Sequence, residues 1–181
     1  NEGRCSLTMR GCLVLENGQK FYGQLLMDDP AVGEVVFNTG MTGYEETFTD
    51  PSYAGQIITM TYPLIGNYGT LKDIQQADRP YAAGFILSEL CDRPSNWQNE
   101  GTLASFIMTH RIPCLYGVDT RAITRAIRSH GVMKGVIVPE YMADADVQSL
   151  LATPLETLLV KQVTPKSVRK MGDGRFQVAV M

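Results

Sequence analysis

The side chains able to do covalent chemistry are few, and none sits in the setting that such chemistry needs. The cysteines are Cys5, Cys12, Cys91 and Cys114. An enzyme nucleophile is often announced by a sharp strand-to-helix turn, and the chain has neither a G-x-S-x-G nor a G-x-C-x-G run. Cys12 and Cys114 lie in apolar, strand-like runs and read as small buried hydrophobes. Cys91 stands near Asp92 and Arg93, surroundings that do not strongly favour a thiolate. No C-x-x-C occurs, and neither His110 nor His130 stands at a zinc-like spacing from a cysteine, so no metal site is expected. Both histidines fall near the ends of helical patterns, where the helix dipole favours them without catalysis. There is no phosphate-cradling G-x-x-x-x-G-K-[ST] or G-x-G-x-x-G run. The acidic pairs Asp28-Asp29 and Glu45-Glu46 lack cation-site spacing and read as solvated turn residues. The chain is therefore expected to hold no catalytic residue of its own.

Two patterns are more pointed. Arg121, Arg125 and Arg128 recur at i, i+4 and i+7, so they share one helix face, opposite Ile123 and Ile127. Such a stripe is either a solvated face or a docking stripe for an acidic surface, since the guanidinium fork can hold carboxylates bidentately. The second pattern spans residues 38–68, where Gly, Thr, Ser, Asn and Pro crowd around a strand-like run. These residue types set specific turns on a surface, and loops of this kind either carry binding sites or are ordinary turns.

The elements that must position these groups follow from periodicity. Residues 12–16 and 19–25 are strand-like and flank Asn17-Gly18, the strongest short hairpin signal, which points to a type I′ turn. Further strands are expected over 33–37, 56–62, 82–87, 114–117 and 132–138, the run 82–87 being apolar on both faces. Leu103, Phe106, Ile107 and His110 mark one face of a helix closed by Pro113. Asp119 is a fitting N-cap for the next helix, which ends at Gly131, and a third helix spans 144–151. Strands come first and helices alternate only later, so the expected architecture is α/β, with a mixed sheet and helices gathered on one side, not a doubly wound nucleotide fold. Residues 153–175, with two prolines, two glycines and several cations, read as a linker. Residues 176–181 resemble the first strand of a further domain, within which the sequence stops.

Composition bounds the partners. At 181 residues and 44% hydrophobic content the chain can bury a sizeable core. Sixteen basic against 19 acidic residues leave a net charge of -3, which gives no electrostatic reason to expect nucleic acid or an anionic membrane. No apolar run approaches membrane-spanning length, and residues 1–8 hold no apolar core of a signal peptide. The cysteine usage suits a reducing, cytoplasmic setting.

Seven ordered blocks carry a resemblance to a family. They are Leu13-Val14-Leu15-Glu16-Asn17-Gly18, Gly33-Glu34-Val35-Val36-Phe37-Asn38-Thr39, Met41-Thr42-Gly43-Tyr44, Thr49-Asp50-Pro51-Ser52-Tyr53, Tyr62-Pro63-Leu64-Ile65-Gly66-Asn67-Tyr68-Gly69, Gly117-Val118-Asp119-Thr120-Arg121 and Lys134-Gly135. In this order they resemble small subunits of carbamoyl-phosphate synthase, from about Gly11 onward. The resemblance implies a three-layer β/β/α domain of the swivelling type, with mixed parallel and antiparallel sheets, over residues 11–152. Residues 153–175 would link it to a class I glutamine amidotransferase domain, of which residues 176–181 are the start and whose Cys-His-Glu triad is absent here. In such enzymes glutamine is hydrolysed on the small subunit, and ammonia passes through a tunnel to the large subunit. There bicarbonate, ATP and magnesium complete carbamoyl phosphate for pyrimidine and arginine synthesis. The family uses the serine of the D-P-S-Y loop, here Ser52, to touch glutamine. Its first domain also helps dock the large subunit, the role open to Arg121, Arg125 and Arg128. The competing readings are a stand-alone enzyme and a pure assembly domain that touches no substrate.

Overall fold

A computed structural model describes residues 9–70, 75–77, 79–91, 101–168, 170–172, 174–176 and 178–179. Cys5, Asp92, Arg93, Gln177, Val180 and Met181, on which expectations were placed, lie outside the described residues. Nine strands are described: β1 (Met9–Leu15), β2 (Lys20–Leu25), β3 (Ala31–Asn38), β4 (Gln56–Met60), β5 (Leu64–Ile65), β6 (Gly84–Ile86), β7 (Glu89–Leu90), β8 (Cys114–Tyr116) and β9 (Met133–Pro139). The helices are α1 (Tyr44–Thr49), α2 (Leu103–Thr109), α3 (Thr120–His130), α4 (Asp144–Ala152) and α5 (Leu159–Val163), with a 3₁₀ turn at Pro51–Tyr53.

Seven of the strands close into a barrel in the order β1-β2-β8-β6-β4-β3-β9, and β5 pairs with β7 apart from it. The pairs β3–β4, β4–β6 and β6–β8 are parallel; β1–β2, β1–β9, β2–β8 and β3–β9 are antiparallel. The expected mixture of directions is thus present, in a domain of α/β type.

The period of two along each strand sorts side chains between inside and outside. Leu13, Leu15, Val35, Ile57, Ile86, Leu115 and Ile137 meet in one buried cluster, which Ile123 and Ile127 of α3 join. Their alternate neighbours build two further clusters. Cys12, Val14, Val136 and Val138 pack with Val147 of α4, and Ile58, Met60, Phe85 and Cys114 pack with α1 and α2. Strand β6 is buried along its whole length for this reason, as its apolar run predicts. Gly135 is forced by the same packing: a Cβ there would lie 2.6 Å from Val35 Cγ2.

Two expectations are corrected. The helices are not gathered on one side: α4 covers the β1/β9 face, while α1 and α2 cover the β4/β6/β8 face. Each outward apolar row needs its own cover once the sheet closes on itself. The β1–β2 hairpin forms, but not through a type I′ turn. Gly18 N donates to Leu15 O at 2.8 Å, Leu15 N donates to Gln19 O at 2.9 Å, and of the turn residues only Gly18 has positive φ, at 86°. This is a type I turn followed by a left-handed glycine, with Asn17 Oδ1 accepting from Gln19 N.

Helix α3 starts and stops as its sequence signals. Asp119 Oδ1 accepts from Ala122 N at 2.9 Å, and Gly131 N donates to Ile127 O. No helix among the described residues is long and apolar enough to cross a membrane.

Candidate functional site

The loops that follow β3 and β4 come together as one hydrogen-bonded cluster. Asn38, the last residue of β3, is its hub. Its Oδ1 accepts from Gly40 N at 2.7 Å, and its Nδ2 donates to Tyr53 Oη at 3.1 Å and Thr47 Oγ1 at 3.4 Å. Its backbone carbonyl accepts from Thr61 N and Thr61 Oγ1. Helix α1 follows Gly43, which offers no side-chain cap. Tyr68 supplies the missing acceptor from a later loop: its Oη accepts from Gly43 N at 2.9 Å and Tyr44 N at 3.3 Å. Tyr44 in turn donates to Gly69 O, and the two rings stack with centroids 4.2 Å apart. Burial raises the pKa of both phenols, so both stay protonated.

Ser52 lies on the 3₁₀ turn and is exposed. Pro51 fixes its own φ at the first position of that turn. Asp50 Oδ1 accepts from Ser52 N at 2.8 Å and from Ser52 Oγ at 2.6 Å. The hydroxyl proton is thereby committed inside the turn, and the oxygen of this exposed residue keeps its capacity to accept.

The chain after α4 returns to this turn. Lys134 Nζ donates to Leu151 O at 2.6 Å and to Thr153 O, holding the carbonyls that α4 leaves unpaired. The segment then runs past Gly55, where an added Cβ would lie 3.1 Å from Leu159 Cδ2 of α5. Val163 and Pro165 border a cleft of about 840 Å³ whose other wall includes Pro51, Tyr81 and Thr102. The residues read as a linker thus include a short helix packed beside the Ser52 turn. No strand is present at 174–176 or 178–179.

The acidic pair Glu45-Glu46 is not solvated. Glu45 is fully buried in the first turn of α1 and accepts from Gln75 Nε2 at 2.8 Å; Glu46 is half-buried in the same turn. A helix N-terminus favours carboxylates there, an effect invisible before α1 is known to be a helix. Asp28 is exposed as expected, and Asp29 meets Arg111 at 3.2 Å. Arg121, Arg125 and Arg128 are exposed on α3, with Ile123 and Ile127 buried behind them. Among the described residues none of the three is ion-paired, and they do not join the Asn38 cluster. Sequence reasoning missed Asn38 and Tyr68, although both lie in quoted blocks, because Tyr53 is 15 residues from Asn38, and Gly43 and Tyr44 are 25 and 24 from Tyr68.

Among the candidate nucleophiles, Cys91 is half-buried and Cys12 and Cys114 are buried. Burial raises the pKa of Cys12 and Cys114, and Cys114 is fully buried. His110 stacks against Phe106 at 4.6 Å, and His130 Nδ1 lies 3.0 Å from Ala126 O in its own helix. Among the described residues no three His, Cys, Asp or Glu side chains are grouped to hold a metal ion.

The domain is thus a closed barrel that carries a tied cluster of loops after β3 and β4. The family model for the carbamoyl-phosphate synthase small chain, CPSase domain, matches residues 13–137, and the chain belongs to that family. The match begins and ends on a paired position, since Leu13 of β1 stands opposite Ile137 of β9 where the barrel closes. The chain is 51% identical over 146 residues to the carbamoyl phosphate synthase small chain of Caldanaerobacter subterraneus subsp. tengcongensis, covering 79% of this chain and 41% of that protein. It is 48% identical over 175 residues to the pyrimidine-specific small chain of Halalkalibacterium halodurans, covering 95% and 48% respectively. With the pyrimidine-specific small chain of Bacillus subtilis the figures are 46% over 164 residues, 88% and 44%. The chain thus spans somewhat under half the length of these relatives.

Proposed function

We propose that this chain is the domain of a glutamine-dependent carbamoyl-phosphate synthase that docks the large subunit and completes the glutamine site of its own amidotransferase domain. Ser52 supplies the contact to glutamine, and Arg121, Arg125 and Arg128 contribute to docking. ATP and magnesium then belong to the large subunit, and the parent enzyme works in the cytoplasm. The barrel is read as the β/β/α swivelling domain that the resemblance implies.

The observation that carries the glutamine reading is the path of the chain after α4. Its return past Gly55 and Pro51 brings Leu159, Val163 and Pro165 of the linker near the turn that carries the exposed Ser52. A neighbouring domain attached there would meet the serine across a short gap. With its proton committed to Asp50, Ser52 Oγ suits the ammonium of glutamine as an acceptor. A hydrogen bond between a neutral and a charged group is worth about 1.5–3 kcal/mol. It would act on a part of glutamine that does not react, so it belongs to binding.

The test is Ser52→Ala in the complete small subunit assembled with its large partner. The KM for glutamine should rise about ten- to a hundred-fold while synthesis from added ammonia is unchanged. An unaltered KM would leave a second reading, a pure assembly domain, which the bond from Ser52 Oγ to Asp50 favours.

A further inference from the structure

The turn that carries Ser52 is held locally by Asp50, but a local bond fixes only the shape of a turn. Its direction relative to the barrel needs an anchor outside it. Among the described residues Tyr53 provides one, because its Oη accepts from Asn38 Nδ2 at 3.1 Å, across 15 residues of sequence.

Asn38 is a rigid base for such an anchor. It is paired with Met60 in the parallel β3–β4 ladder, and its carbonyl accepts two further bonds from Thr61. The orientation of its amide is dictated by the bonding. Gly40 N can only donate, so the atom facing it must be Oδ1, and the NH₂ group must face Tyr53 and Thr47. Both of its hydrogens are then used, one on the Ser52 turn and one on α1. Thr47 Oγ1 donates in turn to Gly43 O, so the second arm ends at the start of α1 and does not touch residues 50–52.

We propose that Asn38, acting through Tyr53, is the positioning residue that aims Ser52 and thereby sets the affinity of this site for the amino-acid end of glutamine. The proposal rests on the reading of Ser52 as a glutamine contact. The amide's two arms supply an internal control. Removing the Tyr53 hydroxyl frees the Ser52 turn, whereas removing the Thr47 hydroxyl loosens α1 and leaves that turn anchored.

The experiment uses the complete small subunit assembled with its large partner and compares Tyr53→Phe with Thr47→Val. In Tyr53→Phe the KM for glutamine should rise about three- to ten-fold, the effect of one neutral hydrogen bond, with kcat and the ammonia-dependent rate unchanged. Thr47→Val should keep the wild-type KM. Amide exchange at residues 52–54, followed without glutamine, should quicken in Tyr53→Phe and not in Thr47→Val. A wild-type KM in Tyr53→Phe, beside a raised KM in Ser52→Ala, would overturn the positioning role. So would equal KM increases in the two variants, which would mark Asn38 as a general brace. An unchanged KM in Ser52→Ala sinks the glutamine reading and, with it, the claim on affinity. Unaltered exchange at residues 52–54 in Tyr53→Phe sinks the aiming of the turn whatever glutamine does.

Discussion

Cys114 shows how burial decides what a reactive residue type can do. Its side chain is inaccessible, and desolvation pushes its pKa up; Cys12 is shifted in the same direction, by burial first. An unfolded thiol ionises near pH 8.5, while these two keep their protons when folded. The folded state then binds more protons than the unfolded state above that pH, so stability is fully present below it and falls as pH rises. Tyr44 and Tyr68, also raised by burial, extend the fall from about pH 10. Thermal midpoints measured from pH 7 upward should therefore drop above about pH 8.5, with a shallower slope in Cys114→Ala than in the wild type. A flat profile would contradict the burial of these groups. The buried thiols were legible in the sequence because they interrupt apolar strand patterns. Glu45 was not, because the helix end that accepts its charge is a property of the fold.

Helix α3 was the most legible element, since its N-cap, its apolar stripe and its terminal glycine all agree. Its exposed arginines belong to the proposed docking role, and they are tested as a face. Arg121→Glu with Arg125→Glu, in the full small subunit, should weaken association with the large subunit and change its salt dependence. Affinity and salt dependence both at wild-type values would make the stripe a solvated face. Helix α1 was not legible. Its six residues are too few for a period, and it is fixed by Tyr44 and Phe48 packing on β4 and β6 and by Tyr68 at its start. The turn at Asn17-Gly18 was half legible: the hairpin follows from the residue types, but the choice of a type I turn does not.

The whole domain shows where sequence reasoning stops. Each barrel strand has a local signal, but closure depends on β1 pairing with β9, and nothing in either strand names the other. Function follows the same division. The proposal assigns the hydrolytic chemistry to a separate domain, so the chain alone should release no ammonia from glutamine above background. Measurable glutaminase activity of the purified chain would refute that assignment.

The pairing of β1 with β9 also has a consequence for biosynthesis. Leu15 leaves the ribosome long before Pro139, and at ordinary elongation rates the interval is on the order of ten seconds. During that time β1 can pair with β2, but its other edge has no strand to pair with and Leu13 lacks Ile137 opposite it. A nascent chain in this state resembles an exposed apolar edge strand. The domain therefore depends on its last barrel strand for protection as much as for stability, and slow translation between β1 and β9 should lower its soluble yield.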